Sequence, residues 1–291
     1  MSEKQTDRER APFSVAMSVY KNDNGEFVER ALESITKAQT VKPDEIVLIV
    51  DGSVSEAVEE VIQKYEREYT GFQAVRLPEN KGLGNALQLA VDRCSYPLIA
   101  RMDSDDVALP TRFEQQLKCF AENESLDIVG GDITEFIGEE SNIVGKRSVP
   151  KENGAIKAYM KKRCAFNHMS VMYKKEAVLQ AGNYQDWFWN EDYYLWIRMQ
   201  LKGCSFANTG TVLVNVRVGE EMYRRRGGWK YFKSERDLQK YMRKHKMIGF
   251  GTYCMNVAKR FIVQILLPNR LRGWIFRKFA RSSNECGNTE E

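Results

Sequence analysis

A chain of 291 residues with an apolar share of 43% can bury one large core, with or without an appendage, and no stretch has the uninterrupted apolar length of a membrane-spanning helix. Six scattered cysteines without a C-x-x-C pair argue against a zinc site and for reduced thiols, and the charged segment from Met1 to Arg10 lacks the apolar run of a secretory leader. The net charge of +4 conceals an asymmetry: Arg224 to Arg281 holds 17 Lys and Arg against two acids, leaving 27 basic and 38 acidic side chains elsewhere.

After a polar start, Phe13 to Tyr20 reads as a strand closed by a turn over Lys21 to Gly25. Phe27, Ala31 and Ile35 recur at helical spacing. Glu45 to Val50 is almost uniformly apolar, as a parallel strand buried on both faces should be, and it ends in Asp51, Gly52 and Ser53. Val58, Val61, Ile62 and Tyr65 mark the next helix face, and Phe72 to Leu77 a third strand. Asn80 to Asn85 opens a helix through Leu87, Ala90 and Val91. Gly82 and Gly84 invite a dinucleotide-binding reading, but the third glycine is missing and the segment follows a third strand. Strands alternating with helices imply right-handed crossovers and a mostly parallel sheet.

The fourth strand, starting at Leu98, runs into Asp103, Asp105 and Asp106. In extended backbone Asp103 and Asp105 share a face, and two carboxylates that close repel each other unless a cation lies between them. Oxygen ligands suit Mg2+ or Mn2+, whose remaining positions are commonly filled by water and substrate phosphates. A metal-borne diphosphate at the carboxyl end of a strand in an open α/β sheet is the guest this predicts. An EF-hand is excluded, because position six would be Ala108 and position five Val107. A simple loop or helix cap at Asp106, and a phosphatase of the D-x-D type, stay open on this segment alone.

In the second half, Asp127 to Ile133, Ile143 to Val149, Cys164 to Tyr173 and Val212 to Val218 are predicted strands. Asn190 to Leu201 is a predicted helix with Asn190 as N-cap, acids Glu191 and Asp192 in its first turn, and an apolar face of Tyr194, Ile197 and Leu201. Trp187, Trp189, Tyr193 and Trp196 offer a wall on which sugars would stack. Arg224 to Trp229 reads as a cationic loop hinged at Gly227 and Gly228.

The ordered set of Ser18 to Tyr20, Val50 to Ser53, Asn80 to Gly82, Ala100 to Asp106, Pro110 with Arg112, and Glu191-Asp192 followed by Leu195, Trp196 and Arg198 resembles family 2 glycosyltransferases of the GT-A fold. The similarity covers about residues 12–235 and is nearest to bacterial enzymes of O-antigen and capsular polysaccharide synthesis. It implies an α/β domain over 12–229, with a nucleotide-binding half (12–107) and an acceptor half (108–229). A basic helical extension over 230–291 follows. By resemblance, Tyr20 and Asp51 flank and hydrogen-bond uracil, while Arg76, Lys81 and Arg101 lie near base, ribose or phosphates. Asp103 faces ribose and metal, Asp105 ligates Mn2+ or Mg2+, and Asp106 holds the loop. Val50 stands where many relatives carry a second acid, so base recognition rests on Asp51. Asp192 becomes the general base of an inverting transfer from a UDP-sugar (galactose, glucose or N-acetylhexosamine), with Glu191 positioning acceptor or sugar. Arg226 closes over the diphosphate within the Arg224 to Arg226 lid. His168 lies beside the donor sugar, either as a metal ligand or as a structural histidine, and Trp189 and Trp196 are the aromatic candidates for sugar contact.

The tail from Tyr231 to Phe279 interleaves aromatic and aliphatic residues with cations, as interfacial helices do. Packing on its own domain is the alternative. No recognition fold accompanies the charge, so nucleic acid is not an expected partner. The expected setting is cytoplasmic and peripheral on the inner face of the cell membrane, where a polyprenyl-diphosphate-linked or other glycan acceptor is presented. Two other classes remain as alternatives, a metal-dependent phosphatase or nucleotidyltransferase and a non-catalytic sugar-nucleotide-binding scaffold.

Overall fold

The computed structural model describes residues 10–219 and 227–267. Strands β1 (Phe13–Val19), β2 (Glu45–Asp51), β3 (Phe72–Leu77) and β4 (Leu98–Arg101) run parallel in the order β3-β2-β1-β4. Helices α1 (Gly25–Ile35), α2 (Glu56–Glu68) and α3 (Leu83–Arg93) cross between them. β2 shows why these strands are apolar throughout. Ile46, Leu48 and Val50 join one core with α1 and α2, while Val47 and Ile49 join another with α3. Asn24 caps α1 by accepting from Glu26 and Phe27 N–H, and Ser55 caps α2.

Beyond β4 the chain forms β5 (Val107–Ala108), α4 (Arg112–Glu122), β6 (Ile128–Phe136), β7 (Ile143–Arg147) and α5 (Asn153–Met160). There follow β8 (Met172–Lys174), α6 (Lys175–Gln180), α7 (Glu191–Leu201) and β9 (Phe206–Arg217). β8 joins β4 and β6 antiparallel, β9 is parallel to β6, and β5 and β7 add antiparallel edges. The sheet is thus parallel in its first half and mixed in its second, flanked by helices on both faces. Its strand order reverses at β1, between β2 and β4, which opens a crevice at their carboxyl ends.

Three expectations are corrected. Cys164 to Tyr173 is not a strand: only Met172–Lys174 pairs, preceded by a 3-10 turn over His168–Ser170. The apolar run there is buried by aromatic packing of Phe166 on Trp196 and Phe206, not by sheet pairing. Asn190 occupies the N-cap of α7 but its side chain does not cap it; the amide instead donates to Ser234 Oγ at 3.0 Å. The buried side of α7 is Tyr193, Leu195, Trp196, Ile197 and Met199, whereas Leu201 is exposed, because the helix is packed on more than one side.

Helix α8 (Trp229–Lys244) sends Leu238 and Met242 into the core shared with α3 and α7. Helix α9 (Phe250–Phe261) lies against it and continues into a π-helical turn over Ile262–Leu266. Among the described residues, no helix is long and apolar enough to cross a membrane.

Candidate active site

The crevice is built from loops that the strands deliver to one place. Asp51, the last residue of β2, is only 4% exposed. Its Oδ1 accepts Lys81 N–H at 2.6 Å, and its Oδ2 accepts Gly82 N–H and Asn80 Nδ2, both at 2.9 Å. One carboxylate therefore pins the loop that starts α3. Gly52 has φ +84°, and a Cβ there would lie 2.8 Å from Asn80 N, so the two loops can meet only at a glycine. Asp51 is engaged with protein on both oxygens, so it fixes the loop that borders the crevice. Lys81 leaves its side chain exposed. Arg76, expected near the nucleotide, is instead held by Glu59 at 2.7 Å and Glu66 at 2.9 Å. Those partners sit on α2, which draws the guanidinium onto that helix.

At the end of β4, Arg101 is buried and ion-paired with Asp103. Burial of its guanidinium, which alone would lower the pKa, is outweighed by Asp103. Nε and Nη1 of Arg101 are buried without a hydrogen-bond partner. Asp106 is also buried, and its Oδ1 accepts Arg217 N–H at 2.9 Å, tying the acidic loop to the end of β9. Burial, then Asp105 and Asp103, push its pKa well up. Asp105 is open to solvent, yet surrounding protein withholds enough hydration to raise its pKa to about 6, with Asp103 and Asp23 adding repulsion.

Asp23 is a residue that the sequence reading passed over as part of a turn. Its Oδ2 accepts Tyr20 N–H at 2.8 Å, closing the loop after β1, and the carboxylate faces Ser104 and Asp103. Burial raises its pKa to about 6, against the hydrogen bonds from Tyr20 and Ser104. Three carboxylates from two loops thus share one crevice whose buried cation, Arg101, is already paired. Among the described residues, no group of three or more His, Cys, Asp or Glu side chains is arranged to hold a metal ion. The donor set suits a hard cation that draws its other ligands from a diphosphate.

The first turn of α7 forms the opposite wall. Gly84 allows α3 to approach it: a Cβ there would meet Gln185 O at 3.2 Å and Glu191 Cβ at 3.4 Å. Burial, then Asp192, raise Glu191 to about 7, and Asp103 contributes across the crevice. Burial also raises Asp192, opposed by Tyr193 N–H, Arg101 and Arg147. Cys164 Sγ lies 3.8 Å from Asp192 Oδ2, and Arg147 Nη2 donates to Cys164 O at 2.9 Å. Cys164 and Arg147, neither foreseen from sequence, complete the surroundings of the candidate base.

The aromatic expectations separate. Trp196 is fully buried, enclosed by Phe166, Tyr173, Tyr184 and His168, so it cannot stack on a sugar. His168 belongs to the same cluster. Its Nε2 is 2.9 Å from Tyr184 Oη, and burial, then Arg101, hold its pKa well below the usual range, which favours a neutral ring held by the aromatic cluster. Trp189 is 47% exposed, stacks on Phe188 at 4.6 Å and takes φ +54°, a conformation uncommon for a bulky residue. Arg226 and the rest of the Arg224 to Arg226 loop lie outside the described residues.

The sequence pattern described as Glycosyl transferase family 2 matches residues 14–185. The chain is 36% identical over 269 residues to UDP-Gal:alpha-D-GlcNAc-diphosphoundecaprenol beta-1,3-galactosyltransferase of Escherichia coli, covering 92% of this chain and 96% of that protein. It is 37% identical over 266 residues to amylovoran biosynthesis glycosyltransferase AmsE of Erwinia amylovora, covering 91% and 98%. Among solved structures, mannosyltransferase PcManGT from Pyrobaculum calidifontis, in complex with GDP-Man and Mn2+, is similar in fold. Its TM-score is 0.60 at 14% identity, over 91% of this chain and 73% of that one.

Proposed function

The chain belongs to glycosyl transferase family 2 and is a glycosyltransferase, and on that premise we propose that it moves a hexose from a UDP-sugar to a hydroxyl of a lipid-diphosphate-linked glycan, with inversion. The phosphatase and scaffold readings of the acidic loop give way to this one. The observation that carries it is the meeting of two acidic groups from distant segments. Asp103 and Asp105 stand on one side and Glu191 and Asp192 on the other, close enough that Asp103 perturbs Glu191. That is the arrangement a single displacement needs, with leaving-group stabilisation facing a base for the incoming hydroxyl.

Asp105, with Asp103, would hold Mn2+ or Mg2+, and there the ion would act as a Lewis acid toward the leaving diphosphate. Lys81 reaches toward the nucleotide from the loop that Asp51 fixes, with Tyr20 lining the base. Asp192 takes the acceptor proton, helped by Arg147 and Arg101, which favour its ionised form. Glu191 orients the sugar or acceptor, and Trp189 stacks on a sugar ring at the mouth. Residues 12–229 carry the reaction, α8 packs into the same core behind α7, and the section from α9 onward attaches the chain to the inner membrane face. The E. coli relative's donor and acceptor, UDP-galactose and a diphosphoundecaprenol-linked GlcNAc, are the first pair to assay, within polysaccharide biosynthesis.

The test compares wild type with Asp192→Asn, using UDP-galactose, UDP-glucose and UDP-N-acetylglucosamine with a GlcNAc-diphosphate-lipid and Mn2+. Transfer should fall by about 10²–10⁴-fold, while UDP affinity changes little. Undiminished transfer by the variant, or no transfer from any UDP-sugar by wild type, would sink the proposal.

A further inference from the structure

Helix α9 is built inside out. The fully buried side chains of this helix and its π-helical continuation are polar, Asn256 and Gln264, with Arg260 between them at fourfold spacing and 14% exposed, while Tyr253 and Phe261 pack against the protein at the flanks. The residues it turns to solvent are largely apolar. Met255, Ala258, Ile262 and Leu266 recur every three or four positions, and Met255, Ile262 and Leu266 are 46%, 49% and 61% exposed. A helix on a water-bathed surface has the reverse arrangement. The stripe is extended by Trp229, itself 59% exposed, whose ring lies 6.0 Å from that of Phe261.

The inward polar row has definite work. Asn256 Nδ2 donates to Lys161 O at 2.9 Å and to Gln239 Oε1 at 2.8 Å. Arg260 pairs with Glu235 and donates through Nη2 to Lys162 O at 2.9 Å. Asn256 and Arg260 are held by the body of the protein, so the helix is not waiting to turn over. Its apolar side faces outward in the docked state.

We propose that this outward face of α9 and its π-helical continuation lies on an anionic lipid surface. Charge selects lipid over a second protein. Residues 227–267 hold nine Lys and Arg against two acids, and both acids are already paired, Glu235 with Arg260 and Asp237 with Arg236. Apolar side chains flanked by surplus cations match the boundary between acyl chains and acidic headgroups. The chain beyond Leu267 continues the same chemistry, with Leu271, Trp274, Ile275, Phe276 and Phe279 among Arg270, Arg272, Arg277, Lys278 and Arg281. The inference deepens the proposed reaction and rests on its lipid-linked acceptor. Asn256 and Arg260 grip the carbonyls of Lys161 and Lys162, three and two residues before Cys164, which touches Asp192. The bilayer-facing helix and the base are therefore braced to one short segment, which sets the height of the acceptor side of the crevice above the membrane.

The experiment measures binding of the full chain to phosphatidylcholine vesicles with and without phosphatidylglycerol, by co-sedimentation. Wild type should bind those containing phosphatidylglycerol. The combined variant Met255→Ser, Ile262→Ser, Leu266→Ser, which alters only exposed side chains, should bind them about tenfold or more weakly. Lys259→Gln should weaken binding by about fivefold. Melting and turnover on a water-soluble acceptor report that each variant is folded. Equal vesicle binding by wild type and the triple variant would overturn the inference, and so would wild type failing to bind. It would also fall if sedimentation velocity showed a wild-type dimer, blind to lipid, that the triple variant splits, since a second copy would then cover the stripe. Loss of turnover on every UDP-sugar with vesicle binding intact would count against the proposed reaction alone.

Discussion

Replacing Asp51 by Asn separates two roles that a carboxylate beside a nucleotide can have. Its oxygens accept three N–H groups, from Lys81, Gly82 and Asn80. An asparagine keeps most of this by leaving its oxygen toward Gly82 and Asn80. Its NH2 must then face Lys81 N–H, donor against donor. A part-buried donor left without an acceptor costs about 2 kcal/mol, and the contacts that persist lose the strength a charge lends them. For a chain of this size that lowers the melting temperature by about 3 °C. Melting without nucleotide and titration with UDP and Mn2+ are the paired assays. Both stability and UDP affinity should fall, because the loop that frames the base loosens. An unchanged melting temperature together with lost UDP affinity would refute the reasoning, since it would mean that Asp51 serves the base directly and the loop stands without it.

Two further outcomes test the crevice and its packing. UDP with Mn2+ at a hundred times the dissociation constant should stabilise the chain by about 2.7 kcal/mol. In Asp105→Ala that stabilisation should largely disappear, and a melting shift as large as the wild type's would show that Asp105 holds no cation. His168 is held neutral in the fold, well below its usual pKa of 6.5, so the unfolded chain binds a proton that the folded chain refuses. Stability from this group is complete above pH 6.5 and is lost as pH falls, by up to about 1.4 kcal/mol per pH unit. His168→Gln should remove that component, so wild type should lose ground to the variant between pH 7 and pH 5; a difference flat with pH would dismiss it.

The parts legible in the sequence are those whose cause is local. β2 announces itself because both its faces are buried, and α2 because Val58, Val61, Ile62 and Tyr65 all lie on one side. The Asp103 to Asp106 run is legible because closely spaced carboxylates have few stable uses. Cys164 to Tyr173 misled because an apolar run records burial without saying what buries it; here the agents are Trp196 and Phe206. Asp23 escaped notice because Asp in a turn is ordinary, and only the approach of the loops after β1 and β4 sets it opposite Asp103.

Amino-acid order alone determined the alternation of strands and helices, the acidic loop at a strand end and the basic character of the C-terminal section, since each follows from neighbours in the chain. Tertiary structure decided that Trp189 is open while Trp196 is enclosed, that Arg76 belongs to α2, and that α9 shows its apolar side to the outside. The physical reason is the same in all three. Periodicity states which side chains share a face, but the direction that face takes depends on partners in other elements of the chain: Phe166 for Trp196, Glu59 and Glu66 for Arg76, and the carbonyls of Lys161 and Lys162 for Asn256 and Arg260.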